Sequence, residues 1–365
     1  MKENLFLISD PLTTDYGPSR PVVLLSHEFS KIFNVSVVSS AVSAHIKEKL
    51  QSLEVTVIDL GIKSYLKDPS LAVFDLYLRE AVRGSISHQV NLPGDSMVLN
   101  FSNTIVYPSL AWYAQGSVSI ALRKIRKEMP LKYKVPLYIS DYPLARLDKR
   151  MIKKMQKVTN VVIANSQYCR SCYEQIGIDV NDVIYEPLDC DLFKPSTSNP
   201  SADYALTYFG KETEYSVIKK IADAGVKIKA FGGKLTSAPQ SLVKHPNVEA
   251  LGHVDQDSLT QLYSNALFTL FPFTDEEFGY IPAESMACGT PVLTYGIQGP
   301  AEVVVDGVTG CLVSNEKEMV ETAIRLWKDR EVSDETRLNC RKAAFKFEVP
   351  HIAKQWLNYI DGDMS

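Results

Sequence analysis

Phe271 to Pro291 reads FPFTDEEFGYIPAESMACGTP. The apolar run Ala266 to Phe271 that leads into it reads as a buried strand, and Pro291 to Tyr295 begins the next one. Between them lie an acidic loop with one glycine, Gly279, and a short helix with Pro282 at its favourable first position and Gly289 at its close. A strand, a loop and a helix start make a phosphate site in an open α/β sheet, because first-turn N–H groups lack partners and carry the positive end of the dipole. The unusual part is the pair of carboxylates.

Glu276 and Glu284 have seven residues between them, which places Glu276 on the loop and Glu284 in the first turn of the helix. A carboxylate repels phosphate but accepts two hydrogen bonds from adjacent hydroxyls, the pattern a ribose or hexose offers. The spacing thus suits a ligand with a sugar at each end: Glu284 for the ribose, Glu276 for the second sugar, and the amides of Phe278, Gly279 and Tyr280 for phosphate between them. A nucleotide sugar has that layout. On spacing alone a plainer reading stands level, with Glu284 an acid favoured at a helix start and Glu276 a solvated loop charge.

The longer phrase EEFGYIPAESMACGTPVLTYGIQGPAEVVVDGVTGCLV closely resembles the signature of retaining GT-B glycosyltransferases of family 4, in particular its mannosyltransferase-like members. The matching positions are Glu276, Glu284, Gly289 to Val292, Asp306, Gly307 and Gly310, while Glu277 stands where most members have glycine. The resemblance implies an α/β chain of two Rossmann-like, doubly wound domains facing across a cleft, with the donor held by the second. It implies transfer of mannose or glucose, with retention, from GDP-mannose or UDP-glucose as substrate to a glycan or lipid-linked oligosaccharide, without metal or further cofactor. A GT-B epimerase or hydrolase, or a non-catalytic partner subunit, is the alternative.

Other positions take their roles from the same resemblance. Gly210 and Lys211 lie where the family places Gly-Arg for the donor diphosphate, and Lys211, Glu276 and, on the acceptor side, Asp141 become catalytic candidates. The family's second lysine is replaced by Ser216, with Lys219 and Lys220 the nearest cations, and an uncompensated loss would cost about 1.5–3 kcal/mol of charge-assisted bonding. Gly233, His253 and Val254 resemble the pocket for the nucleotide base. In the first half, Gly17 is what remains of a glycine-rich loop, with Arg20 nearby. Val135 to Ser140 reads as a strand opening into a loop, and Asp141 stands near where relatives carry an acceptor-side His; as a plain cap, Asp141 would serve the next helix instead.

At 365 residues the chain is long enough for about two domains. The polar linker Ser196 to Asp203 divides it into an acceptor-side domain over 1–196, rejoined by a final helix over 348–365, and a donor-binding domain over 197–347. Further strands are expected at Leu5–Ser9, Val35–Ser39, Val55–Leu60, Met97–Phe101, Val161–Ser166, Ala205–Phe209, Lys227–Phe231 and Val248–Leu251, alternating with helices as a parallel sheet requires. Ser166 reads as a helix cap and Asp189 as a turn-ordering residue.

Net charge is −4, yet twelve Lys or Arg between Arg123 and Lys157 stand against Glu128, Asp141 and Asp148 alone. That basic segment suits an anionic membrane face or anionic acceptor, and the lack of interleaved aromatics argues against nucleic acid. No run reaches the ~18 apolar residues of a membrane span, and the start MKENLFLISD lacks a secretory core. Six cysteines at this length do not make a disulfide scaffold, which points to a cytoplasmic protein, peripheral on the membrane through 123–157. Cys169 and Cys172 read as packing residues, since one CxxC without a second pair makes a poor zinc site.

Overall fold

Strand β1 (Asn4–Ser9) is buried from Leu5 to Ser9, as expected of a parallel strand covered on both faces. Its side chains alternate between two layers. Leu5 and Leu7 pack with Val22, Leu25 and Phe29, whereas Phe6 and Ile8 pack with Val38, Leu76 and Val98. This computed structural model describes residues 2–13, 17–65, 69–94, 96–125, 131–210, 212–232, 238–273, 275–330, 332–360 and 362.

The first domain comprises residues 1–123, 135–187 and 349–365. Its sheet contains β1, β2 (Asn34–Ser39), β3 (Thr56–Asp59), β4 (Met97–Asn100), β5 (Ser109–Ala114), β6 (Thr159–Ala164) and β7 (Asp182–Val183), in the order β3-β2-β1-β4-β5-β6-β7. All pairings are parallel. Helices α1 (Arg20–Ser30) and α2 (Ala44–Ser52) lie on one face, and α3 (Pro69–Arg83), α5 (Leu131–Val158) and α6 (Gln167–Gln175) on the other, with α4 (Val118–Ile125) preceding α5.

The second domain comprises residues 124–134 and 188–348. Strands β8 (Ala205–Tyr208), β9 (Ile228–Phe231), β10 (Val248–Gly252), β11 (Phe268–Phe271), β12 (Val292–Tyr295) and β13 (Gly310–Val313) are ordered β10-β9-β8-β11-β12-β13, again parallel throughout. Helices α7 (Tyr215–Asp223), α8 (Gln240–Val243), α9 (Gln256–Asn265), α10 (Tyr280–Ala287), α11 (Gly299–Val303), α12 (Glu316–Asp329) and α13 (Asp334–Ala344) connect and follow them. The chain then returns to the first domain as α14 (Val349–Ile360), where the Trp356 ring packs 5.0 Å from Phe101 and 5.2 Å from Tyr113.

Two sequence expectations change here. The second domain begins at Leu188 rather than after Ser196, because Leu188 N donates to Phe347 O (2.6 Å) and Arg341 reaches Cys190 O (2.7 Å) and Phe193 O (2.6 Å). The strand expected at 135–140 is instead part of α5. Leu144, Met151, Ile152 and Met155 form the buried side of that helix, and the sheet position beside β4 is filled by β5, SLAWYA.

Candidate functional site

In the second sheet the strand order reverses between β8 and β11. Ligands of doubly wound sheets bind outside the carboxyl ends of the strands at such a reversal, where adjacent loops part to opposite faces. The loops there are 209–214 after β8 and 272–279 after β11. The quoted stretch is the second of them.

Loop 272–279 is tied down from the β12 side. Gln298 Nε2 donates to Phe273 O (3.0 Å), its Oε1 accepts from Glu276 N (2.7 Å), and Gly299 N donates to Glu276 O (3.1 Å). A β-carbon at Gly299 would lie 2.1 Å from Glu277 O, so only glycine lets the two backbones cross. The Phe271 and Phe273 rings stack at 3.9 Å, and the Phe278 ring meets those of Tyr280 (5.3 Å) and Phe347 (5.2 Å). Gly279, at φ +100°, then turns the chain into α10.

The helix begins at Tyr280, so Pro282 is its third residue rather than its first, and Glu284 lies in the second turn rather than the first. Pro282 is still among the positions whose N–H needs no helical partner. Glu284, however, is beyond the first-turn range of the dipole, which removes the plain account of it as a helix-start acid. It is only 4% exposed, and its Oε2 accepts a 2.8 Å bond from Tyr263 OH of α9. A carboxylate buried in a helix interior is costly, and such positions cluster at functional sites.

Glu276 is held differently. Its Oε1 accepts from Gly279 N (3.2 Å), so one of the three amides expected to receive phosphate is occupied by the loop's own carboxylate. Burial, followed by the charges of Glu277 and Glu212, pushes the Glu276 carboxyl up to about 8; the Gly279 amide opposes this, and Asp275 adds to it. Burial and the neighbouring acids therefore favour the protonated form in this loop, and the partly exposed side chain is not the solvated charge of the plain picture. The two glutamates thus sit among different partners, Glu276 in the loop and Glu284 on the helix behind it.

After β8, both sides of Gly210 are committed: its N donates to Thr213 Oγ1 (2.9 Å) and its O accepts from Tyr215 OH (2.7 Å). Thr213 also bridges to Phe273, joining the two loops. Lys211 and Gly233 lie outside the described residues. Lys219 Nζ is bound to Asp223 (2.7 Å) and Lys220 Nζ to Glu316 (2.6 Å), so each of these two cations already has an acidic partner. His253 is exposed and Val254 partly so, in the turn between β10 and α9.

The remaining expected positions are in the first domain. Gly17 is exposed at the start of a short turn, Gly17–Ser19, and Arg20 is buried at the first position of α1. Asp141 is neither at a strand end nor a cap. It lies inside α5, where its Oδ1 accepts from Arg123 Nε (2.9 Å). Ser166 caps α6 through Cys169 N (2.9 Å), and Asp189 Oδ1 accepts from Asp191 N (3.0 Å) and Leu192 N (2.9 Å). Cys169 is buried with its thiol directed to Ala114 O (3.4 Å), a packing role.

Three residues of the site escaped the sequence reading: Tyr263, Gln298 and Thr213. Gln298 carried a faint signal, a polar residue between Gly296 and Gly299 after a strand. Tyr263 had none, being one apolar-face residue of α9 among several.

Residues 234–347 match the family model "Glycosyl transferases group 1". The D-inositol 3-phosphate glycosyltransferase of Mycolicibacterium smegmatis is 29% identical over 159 residues, covering 36% of each chain. Uncharacterized glycosyltransferase MJ1178 of Methanocaldococcus jannaschii is 28% identical over 137 residues, 36% of this chain and 39% of that one. These matches thus span well under half the length of the curated relatives. Among solved structures, Anabaena Alr3699/HepE in complex with UDP-glucose aligns over 99% of this chain and 100% of its own with a TM-score of 0.68 at 17% identity. Sucrose-phosphate synthase from Thermosynechococcus elongatus aligns over 99% of both chains with a TM-score of 0.71 at 16% identity. The chain thus has the two-domain GT-B glycosyltransferase fold, and over residues 234–347 its second domain matches the glycosyl transferases group 1 family.

Proposed function

We propose that the protein transfers a hexose, mannose or glucose, from a nucleoside-diphosphate sugar to a hydroxyl of a glycan or lipid-linked oligosaccharide, with retention at the anomeric carbon and without a metal ion. The observation that carries this reading is Glu284, a buried carboxylate on α10 with Tyr263 as a donor, set behind the acidic loop at the reversal of the second sheet. The relatives' names and the UDP and UDP-glucose complexes of fold neighbours support a nucleotide-sugar donor. The basic segment 123–157 favours a lipid-linked acceptor.

In this proposal Glu284 accepts the ribose hydroxyls and Glu276 those of the transferred sugar. The Phe278 and Tyr280 amides, the start of α10 and Lys211 stabilise charge on the departing diphosphate. Diphosphate displaces Glu276 Oε1 from the Gly279 amide before that amide joins them. Gly210 shapes the chain's exit from β8, while Gly233, His253 and Val254 border the base; Gly17 belongs to the acceptor side. The acceptor hydroxyl approaches on the face the diphosphate leaves, and a diphosphate oxygen takes its proton. Asp141 takes no part, since it lies within α5 in an ion pair with Arg123.

A screen of GDP-mannose, UDP-glucose and related donors, scored by released nucleotide, tests the reading. Release that requires an acceptor supports transfer, release without one indicates a hydrolase, and consumption of the donor with neither acceptor nor released nucleotide indicates an epimerase. If calorimetry detects no binding of any nucleoside diphosphate, a non-catalytic subunit is the better description.

A further inference from the structure

Helix α5 presents one continuous outward stripe that changes character along its length. Val135, Tyr138, Ile139 and Tyr142 follow the i, i+3, i+4, i+7 spacing of a single helix face, and they are 53%, 50%, 77% and 74% exposed. At about 100° per residue the same stripe continues through Arg146, Lys149, Arg150, Lys153 and Lys157, all exposed. The opposite side carries the buried Leu144, Asp148, Met151, Ile152 and Met155. Asp141 and Asp148 both fall off the stripe, which therefore has no acid between Val135 and Lys157.

We infer that this stripe is a membrane-surface contact, with the aromatic-aliphatic half entering the interface of an anionic phospholipid bilayer and the cationic half resting on its headgroups. Amphipathic helices bind lipid by the combination of buried apolar area and attraction to anionic headgroups, and tyrosine is enriched at the membrane–water boundary. Among the described residues no helix is long and apolar enough to cross a membrane, so the contact lies in the plane of the surface. The exposed rings of Tyr138 and Tyr142 are grouped with Val135 and Ile139 at one end of the stripe and are not interleaved with the cations from Arg146 to Lys157, which disfavours nucleic acid. A second copy of the stripe would set cations against cations when parallel and against apolar residues when antiparallel. The inference sharpens the acceptor-side reading above, but its test uses neither donor nor transfer.

The test is flotation of the full chain with vesicles of phosphatidylcholine alone and of an equal mixture with phosphatidylglycerol. Binding is expected to the mixed vesicles only, and to weaken with salt. The variant Tyr138→Ser/Ile139→Ser/Tyr142→Ser should lose binding about tenfold or more at every salt concentration. The variant Arg146→Gln/Arg150→Gln/Lys153→Gln should lose the preference for phosphatidylglycerol. Both alter exposed side chains, so their thermal unfolding and nucleoside-diphosphate affinity should match the parent protein. Failure of that affinity in the parent would count against the proposed function and leave this surface standing. Separately, Tyr142→Trp should show a blue-shifted emission on mixed vesicles. Absence of vesicle binding, binding unchanged in the apolar triple variant, RNA binding in its place, or a dimer that this variant dissolves without any lipid effect would each overturn the inference.

Discussion

The phenol of Tyr263 donates a 2.8 Å hydrogen bond to Oε2 of Glu284, linking α9 to α10 through a carboxylate that is only 4% exposed. The bond holds one oxygen of Glu284 in a fixed direction and reduces the cost of burying its charge. Tyr263→Phe removes the donor with little change of shape. It should destabilise the second domain by about 1–3 kcal/mol and weaken nucleoside-diphosphate binding, read by thermal denaturation and calorimetry respectively. Equal affinity in the variant would show that Tyr263 serves folding alone.

Gly299→Ala tests the backbone crossing beneath the acidic loop. The added β-carbon would lie 2.1 Å from Glu277 O, a contact relieved only by moving the loop or α11. A loss of about 2 kcal/mol or more in stability is expected, together with loss of donor-dependent nucleotide release. Gly307→Ala is the control, because at φ +72° it meets no atom within 4 Å and should cost only about 1 kcal/mol of backbone strain.

The Glu276 carboxyl, raised from 4.5 to about 8, makes stability depend on pH in a stated direction. The folded state holds this proton more tightly than the unfolded chain. Its contribution is therefore complete below about 4.5, declines as pH rises above that, and is gone beyond about 8. Between pH 6 and pH 9 the protein should lose about 2.7 kcal/mol from this group. Glu276→Gln should flatten that part of the profile in denaturant titrations. An unchanged slope would assign the dependence to another group.

Arg341 on α13 donates to Phe193 O (2.6 Å), Ala287 O (3.0 Å) and Cys190 O (2.7 Å). It thereby joins the opening segment of the second domain to the C-terminal end of α10. Arg341→Met keeps much of the stem but leaves three carbonyls without this donor, and should cost about 2–4 kcal/mol by denaturant unfolding. Arg341→Lys should recover only part, since an ammonium lacks the planar fork.

The lysine missing at Ser216 yields a further expectation. Lys219 and Lys220 each have a carboxylate partner, Asp223 and Glu316, and are expected not to replace it. Lys219→Ala should leave nucleoside-diphosphate affinity unchanged within about twofold, since exposed pairs contribute little. A large loss of affinity would identify Lys219 as the substitute.

The amino-acid order by itself determined most of the strands and the phrase from Phe271 to Pro291, because buried parallel strands and glycine turns declare themselves within a few neighbouring residues. It also located both glutamates. Folding alone decided that Glu284 is enclosed by Tyr263 in the second turn of α10, that Gln298 brackets the acidic loop, and that Glu276 takes the Gly279 amide for itself. The same holds for α5: Val135 to Ser140 taken alone looks like a strand, yet β5 fills the place beside β4 and the helix buries Met155 against that sheet and Met151 against Tyr77 and Ala81 of α3. Such choices depend on which distant surfaces lose water together, and side chains that meet only across the folded chain leave no periodic trace along it.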